Sequence, residues 1–143
     1  MGNAAGFAAL AKMRKSLAQM SKVPSRAATA AVTEIQSHVN AQFAGGFDPY
    51  GNAWAGHSSA TVARWGEHPV LDLSGDLAGG VTVAPTRGSG IKVSVDAPYG
   101  VFHQIGTSNM PARVILPDNR GLPDQWRRSI ADACEKAFKE AAA

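Results

Sequence analysis

Four histidines, one cysteine and eleven carboxylates are the side chains of this 143-residue sequence with the richest chemistry. The histidines are His38, His57, His68 and His103. A structural zinc site needs Cys or His in close pairs, twice over. No such pairs occur, and Cys134 stands alone, so an internal disulfide is excluded as well. The metalloprotease motif HExxH is absent, and "GEHP" only resembles a fragment of it. Asp72 and Asp76, four apart in "LDLSGDL", could share a helical turn and a metal, but this residue pattern more often makes turns and caps. "RGSGIK" lacks the spacer and the Lys-Ser/Thr ending of a phosphate-binding loop and reads as a hairpin turn. The nucleophile elbow G-x-S-x-G is missing, although a Ser/His/Asp triad can assemble from across a fold.

That leaves "APYGVFHQIGTSNMPAR", residues 97–113, as the densest polar stretch. His103 lies between Phe102 and Gln104, with no nucleophile motif nearby. An imidazole can donate one hydrogen bond and accept another, holding two loops together. Buried polar side chains usually satisfy backbone groups. His103 and Gln104 are therefore expected to be hydrogen-bonding posts at a corner, closed by Gly106.

The elements that carry these residues follow from apolar spacing. Residues 4–20 are Ala-rich, with Phe7, Leu10, Leu17 and Met20 near helical spacing and Lys12 and Lys15 off that stripe. Pro24 marks a break and a new helix start. Ala28, Val32, Ile35, Val39 and Phe43 then define a helix over 25–44, stopped by Gly45 and Gly46. Residues 47–69 read as an ordered loop with one helical turn. Trp54 and Trp65 are its large anchors, set either in the subunit's own core or against a neighbour. "VTVAP" and "IKVSVDA" alternate and predict a β-hairpin of residues 80–84 and 91–96. One or two helical turns follow, ending at Gly106. "ARVIL" predicts a third strand ended by Pro117. Residues 123–141 predict an amphipathic helix opened by Pro123 and Asp124, with Trp126, Ile130, Ala133, Ala137 and Phe138 on one face. The order ααβββα specifies an α+β domain: a small antiparallel sheet with N-terminal helices and a C-terminal helix packed on it.

The length suits one domain spanning 1–143, organised as a basic helical arm (1–46), a loop and β-sheet body (47–117) and a C-terminal helix (118–143). Residues 1–46 hold Lys12, Arg14, Lys15, Lys22 and Arg26 against Glu34 alone, a net of +4. Such an arm suits nucleic acid, an acidic partner or plain solvation. Charged residues are 17% of the chain, and a surface this poor in charge favours partial burial in an assembly. No apolar run approaches the ~20 residues of a membrane span. The start lacks the order of a secretory signal, and "MGNAAG" has Gly6 where myristoylation needs Ser or Thr. A cytosolic origin is expected.

Four blocks occur in a telling order. The first is Asp48, Gly51 and Trp54; the second is Leu71, Ser74, Gly75 and Leu77. The third is Tyr99, Gly100, His103, Gln104 and Gly106; the fourth is Pro111, Ala112, Arg113 and Leu116. Together they resemble the phage virion morphogenesis or tail completion family typified by phage Mu, over residues 47–117. The sequence departs from that family's common pattern at Val114 and Ile115, where Pro and Phe are frequent.

The resemblance implies a structural protein of the neck or tail end. It would cap the tail tube and join it to the head as a homo-oligomeric ring, usually of six copies, with no catalytic residue, cofactor or metal. It would reside at the head–tail junction of the virion, and in the host cytoplasm during assembly. The implied partners are its own copies, the tail tube protein and head-completion or connector proteins, with DNA met only non-specifically in the lumen and no membrane. Trp54, Trp65, Tyr99, His103, Gln104, Gly106, Pro111 and Arg113 would then be structural or interface residues. Lys12, Arg14, Lys15, Lys22 and Arg26 would face an acidic neighbour or the path of DNA. Two other readings stay open: a non-catalytic DNA-binding module using the basic helices, with a steep loss of affinity in salt, and a hydrolase using His103.

Overall fold

A computed structural model describes residues 2–67, 70–71, 76–88 and 90–143. The expected positions His68, Asp72, Ser74 and Gly75 lie outside these residues. The order is α1 (Gly2–Met20), α2 (Val23–Gly45), α3 (Ser59–Trp65), α4 (Asp76–Gly79), β1 (Val81–Pro85), β2 (Ile91–Val95), α5 (Gly100–Ile105) and α6 (Asp124–Ala142). The class is α+β, as the sequence predicts.

α1 contains no β-branched residue and is rich in Ala, which favours helix. It breaks at Ser21 and Lys22, and Pro24 sits in the first turn of α2, where its missing N–H costs nothing. α2 ends where Gly46 takes a left-handed φ of 71° and donates its N–H to Gln42 O at 2.8 Å. The inner face of α2 is Ala27, Ala28, Ala31, Ile35, Val39, Gln42 and Phe43, at steps of three and four. That of α6 is Trp126, Ala133, Ala137 and Ala141. The two helices pack together. Alanines on both faces allow a close approach, because interaxial distance follows side-chain size. His38 Nε2 meets Ser129 Oγ across this contact at 2.8 Å.

The core joins Ile35, Val39 and Phe43 of α2 to Trp54, Leu77, Val81, Ile115 and Trp126. β1 and β2 form an antiparallel hairpin in the register Val81↔Val95 to Pro85↔Ile91, and β1 lies against α2. Pro85 ends β1, where it breaks no interior ladder.

Two expectations need correction. The predicted third strand "ARVIL" is not one: among the described residues the sheet has two strands, and residues 112–116 belong to neither. Apart from Arg113 N, which meets the His103 carbonyl, their bonded backbone groups go to side chains, as described below. Phe138 is 55% exposed rather than on the inner face of α6. It lies one residue past Ala137, which takes the buried position. The helix expected over 4–20 is present as α1, and its stripe of Phe7, Leu10 and Leu17 is 61–69% exposed. Among the described residues no helix is long and apolar enough to cross a membrane.

Candidate functional site

The four-residue segment 113–116 is the point on which most of the singled-out residues converge. α5 positions His103 and Gln104 beside it. Gly106 ends α5, donating its N–H to Phe102 O at 2.9 Å, with φ 75° and ψ 173°. The chain then reverses through Thr107 and Met110, which bridge. This return lays Ala112 N against Gly106, only 2.8 Å from where a β-carbon would sit. The approach brings Arg113 N to His103 O at 2.6 Å.

Gln104 then acts as a substitute strand. Its Oε1 accepts from Ile115 N at 2.8 Å and Leu116 N at 2.9 Å, while its Nε2 donates to Leu116 O at 2.9 Å. From the other side, Gln42 Nε2 donates to Ile115 O at 3.0 Å and Trp54 Nε1 to Val114 O at 2.8 Å. Buried backbone groups must find partners, and here three side chains supply what a neighbouring strand would otherwise give. Arg113 completes the clamp by donating from Nε to Ala55 O at 2.7 Å and from Nη2 to Gly56 O at 2.8 Å. Its burial, without a carboxylate bonded to it, lowers its pKa.

Asp48, 6% exposed, orders the loop that delivers Trp54. Its Oδ1 accepts from the backbone N–H of both Tyr50 and Asn52 at 2.9 Å. Such a turn is ordinary Asx chemistry, and Gly51 supplies the positive φ of 89° within it. Tyr50 carries the loop's second tie: its hydroxyl donates to Gly121 O at 2.6 Å and accepts from Asp118 N at 3.0 Å. Arg120 stacks on the Tyr50 ring at 4.0 Å and pairs with Asp118 at 2.9 Å. The Arg120 hydrogen bonds hold the Asp118 carboxyl far below the usual carboxylate range. A cleft of about 420 Å³ opens beside Tyr50, Arg120 and the start of α6.

The expected posts divide unequally. Gln104 works through its side chain, but His103 works through its main-chain carbonyl. The imidazole is edge-on to Tyr99, 6.1 Å between centroids, and its buried Nδ1 has no hydrogen-bond partner among the described residues. The expectation that the ring donates one hydrogen bond and accepts another to hold two loops together is corrected accordingly. Trp54 is buried and anchors its loop, whereas Trp65 does not: it is 54% exposed at the end of α3, with the Arg64 guanidinium 5.0 Å from its ring. The seven-residue α3 turns it away from the core. Tyr99 is 42% exposed, and Pro111 is exposed. Lys12, Arg14 and Lys15 are exposed on α1, Lys22 is exposed in the break, and Arg26 reaches Gln19 at 3.0 Å. Gln42 escaped the sequence reading. Its signal is there, since a polar residue three after Val39 and seven after Ile35 falls on the apolar stripe. No sequence signal links Tyr50 to Asp118 and Arg120. Among the described residues no cluster of His, Cys, Asp and Glu has the makings of a metal site.

Two predictions arise here. Trp54→Phe keeps the ring but loses the bond to Val114 O, and should cost about 1 kcal/mol. Trp65→Ala should stay within about 0.5 kcal/mol in the free subunit. Urea denaturation checks both, and equal losses would contradict the assignment. The second concerns pH. Burial, and then the charge of Arg113, lower the His103 pKa from 6.5. The unfolded chain therefore takes up its proton first as pH falls. The contribution is full above the unfolded value and is lost as pH drops through it, levelling off below the folded value. His103→Gln should give a flatter fall in stability than wild type between about pH 8 and about pH 5; identical slopes would refute the role of His103.

No protein-family model, no curated protein and no solved structure matches this chain.

Proposed function

We propose that the chain is a non-enzymatic structural subunit of a phage neck or tail end. It assembles as a homo-oligomeric ring that caps the tail tube and joins it to the head. The observation that carries this reading is the convergence of three sequence blocks on one clamp. Trp54, Gln104 and Gly106 direct hydrogen bonds or close packing at the main chain of 110–116, the His103 carbonyl accepts from Arg113 N, the Arg113 side chain reaches back to Ala55 O and Gly56 O, and Asp48 orders the loop that delivers Trp54. Residues used in this way define a shape. Low surface charge and uncovered apolar side chains on α1 and α5 support an assembled state. A heterologous contact that closes gives a ring.

The test is the mass and copy number of this protein in particles or purified tails, by cryo-electron microscopy and quantitative mass spectrometry. A closed ring at the head–tail junction is expected. A single copy, a twofold dimer or absence from the particle would refute the reading.

One observation favours a second reading, a DNA-binding module: α1 carries Lys12, Arg14 and Lys15 with no carboxylate. It requires duplex binding that weakens steeply with salt, with a slope that falls by about one for each phosphate-contacting cation removed. A lumen-facing ring binds DNA weakly and without sequence choice.

A further inference from the structure

The subunit leaves two separate apolar surfaces uncovered. One is the α1 stripe of Phe7, Leu10, Met13 and Leu17, each 60–69% exposed. The other is the outer face of α5, where Val101, Phe102 and Ile105 are 52–70% exposed. In α1 only Gln19 and Met20 are half-buried among the residues of described burial, so the helix meets the body, chiefly α6, near its C-terminal end. The rest, residues 2–18, is a rod about 26 Å long at 1.5 Å per residue, long enough to reach an adjacent subunit.

From these features we infer that the α1 stripe of one copy docks on the α5 face of the next. This deepens the ring reading and rests on it. Charge selects this pairing. α1 has three cations and no carboxylate, so α1 against α1 sets like charges together. Residues 96–112 around α5 carry Asp96 as their single formal charge and no Lys or Arg, so a basic arm meets a neutral to acidic surface there. Geometry selects it too. Val101, Phe102 and Ile105 fall within one third of a helical turn's circumference, a narrow ridge suited to an apolar stripe. An arm and a receiving face at different places on one chain make the contact heterologous, the kind that propagates from subunit to subunit.

The test uses the full chain in a Cys134→Ser background, because Cys134 is exposed and would cross-link by itself. Leu10→Cys protein is mixed with Ile105→Cys protein at high concentration and oxidised. A mixed disulfide dimer is expected, with little from either alone. Separately, Leu10→Glu and Ile105→Glu should each weaken self-association by about tenfold or more, the effect of losing one buried large aliphatic side chain. Mixing those two variants should restore a single intact contact and stop at heterodimers, read by sedimentation velocity. Circular dichroism confirms that each exposed-site variant folds. A homogeneous Leu10→Cys cross-link would overturn the inference in favour of α1 pairing. Binding to phosphatidylglycerol vesicles that Leu10→Glu abolishes, without self-association, would overturn it in favour of a membrane arm. A protein monomeric at every concentration and without the mixed cross-link overturns it as well. A closed ring lacking the Leu10–Ile105 cross-link sinks the arm placement alone. The cross-link within a reciprocal twofold dimer keeps the arm and sinks the ring.

Discussion

Gly106→Ala should be the most damaging single-methyl change among the described glycines, costing about 2–6 kcal/mol. Two terms add. At φ 75° and ψ 173° the backbone occupies a region that only glycine adopts freely, and forcing another residue there costs about 1–3 kcal/mol. The new β-carbon would also lie 2.8 Å from Ala112 N and 3.1 Å from Met110 O. These are backbone atoms, which cannot swing aside as a side-chain tip does, so overpacking adds about 1–3 kcal/mol. Against a typical stability of about 5–15 kcal/mol, this removes a large share. Gly121→Ala separates the terms, because Gly121 has φ 95° but nothing within 4 Å of its β-position. It should cost about 1 kcal/mol. Urea midpoints of the two variants decide the matter, and equal losses would show that the contact with 110–112 carries no weight.

Gln104→Ala should follow, at about 3 kcal/mol, and lower Tm by on the order of 10 °C. The substitution strands the N–H groups of Ile115 and Leu116 and the carbonyl of Leu116 in a half-buried place. Leaving such groups unpaired costs more than the bonds are worth when made. Gln104→Glu discriminates further. A carboxylate can still accept from both N–H groups but cannot donate to Leu116 O, so it should fall between wild type and Gln104→Ala. If Gln104→Ala melts like wild type, the clamp is incidental. Neither substitution touches α1 or the outer face of α5, so subunits that fold should still self-associate.

The helices were legible because their signals are local. Pro24, Gly46 and the four-residue spacing of Ile35, Val39 and Phe43 specify α2 without reference to anything else. The hairpin is equally local, its alternation running through "VTVAP" and "IKVSV". "ARVIL" misled for a physical reason: a short aliphatic run reads the same in the sequence whether a strand or a set of side chains satisfies its backbone. Its pairing depends on Gln42, Trp54 and Gln104, and no periodicity within five residues reveals partners 60 or 73 positions away. Of the clamp, Trp54, His103, Gln104, Gly106 and Arg113 stood out as residue types, but which atom of each would matter did not. His103 serves through a carbonyl that every residue has. Trp65 and Phe138 show the converse, since size alone predicts burial until a short helix or a neighbouring alanine takes the inward position.

Side chains that stand in for a strand also set the order of events in folding. A strand that joins a sheet can zip along its neighbour, each pair easing the next. Residues 113–116 cannot, because their ties come from α2, from the loop at 54–56 and from α5, the farther ones closing loops of 58 to 73 residues. Closing such loops costs entropy before any contact repays it. The segment therefore latches only after all three sites are in place, late on the folding route. Weakening the latch at Gln104 should then leave the refolding rate nearly unchanged and speed unfolding, the signature of interactions absent from the transition state. A stopped-flow chevron would show this as a raised unfolding arm beside a superimposable folding arm.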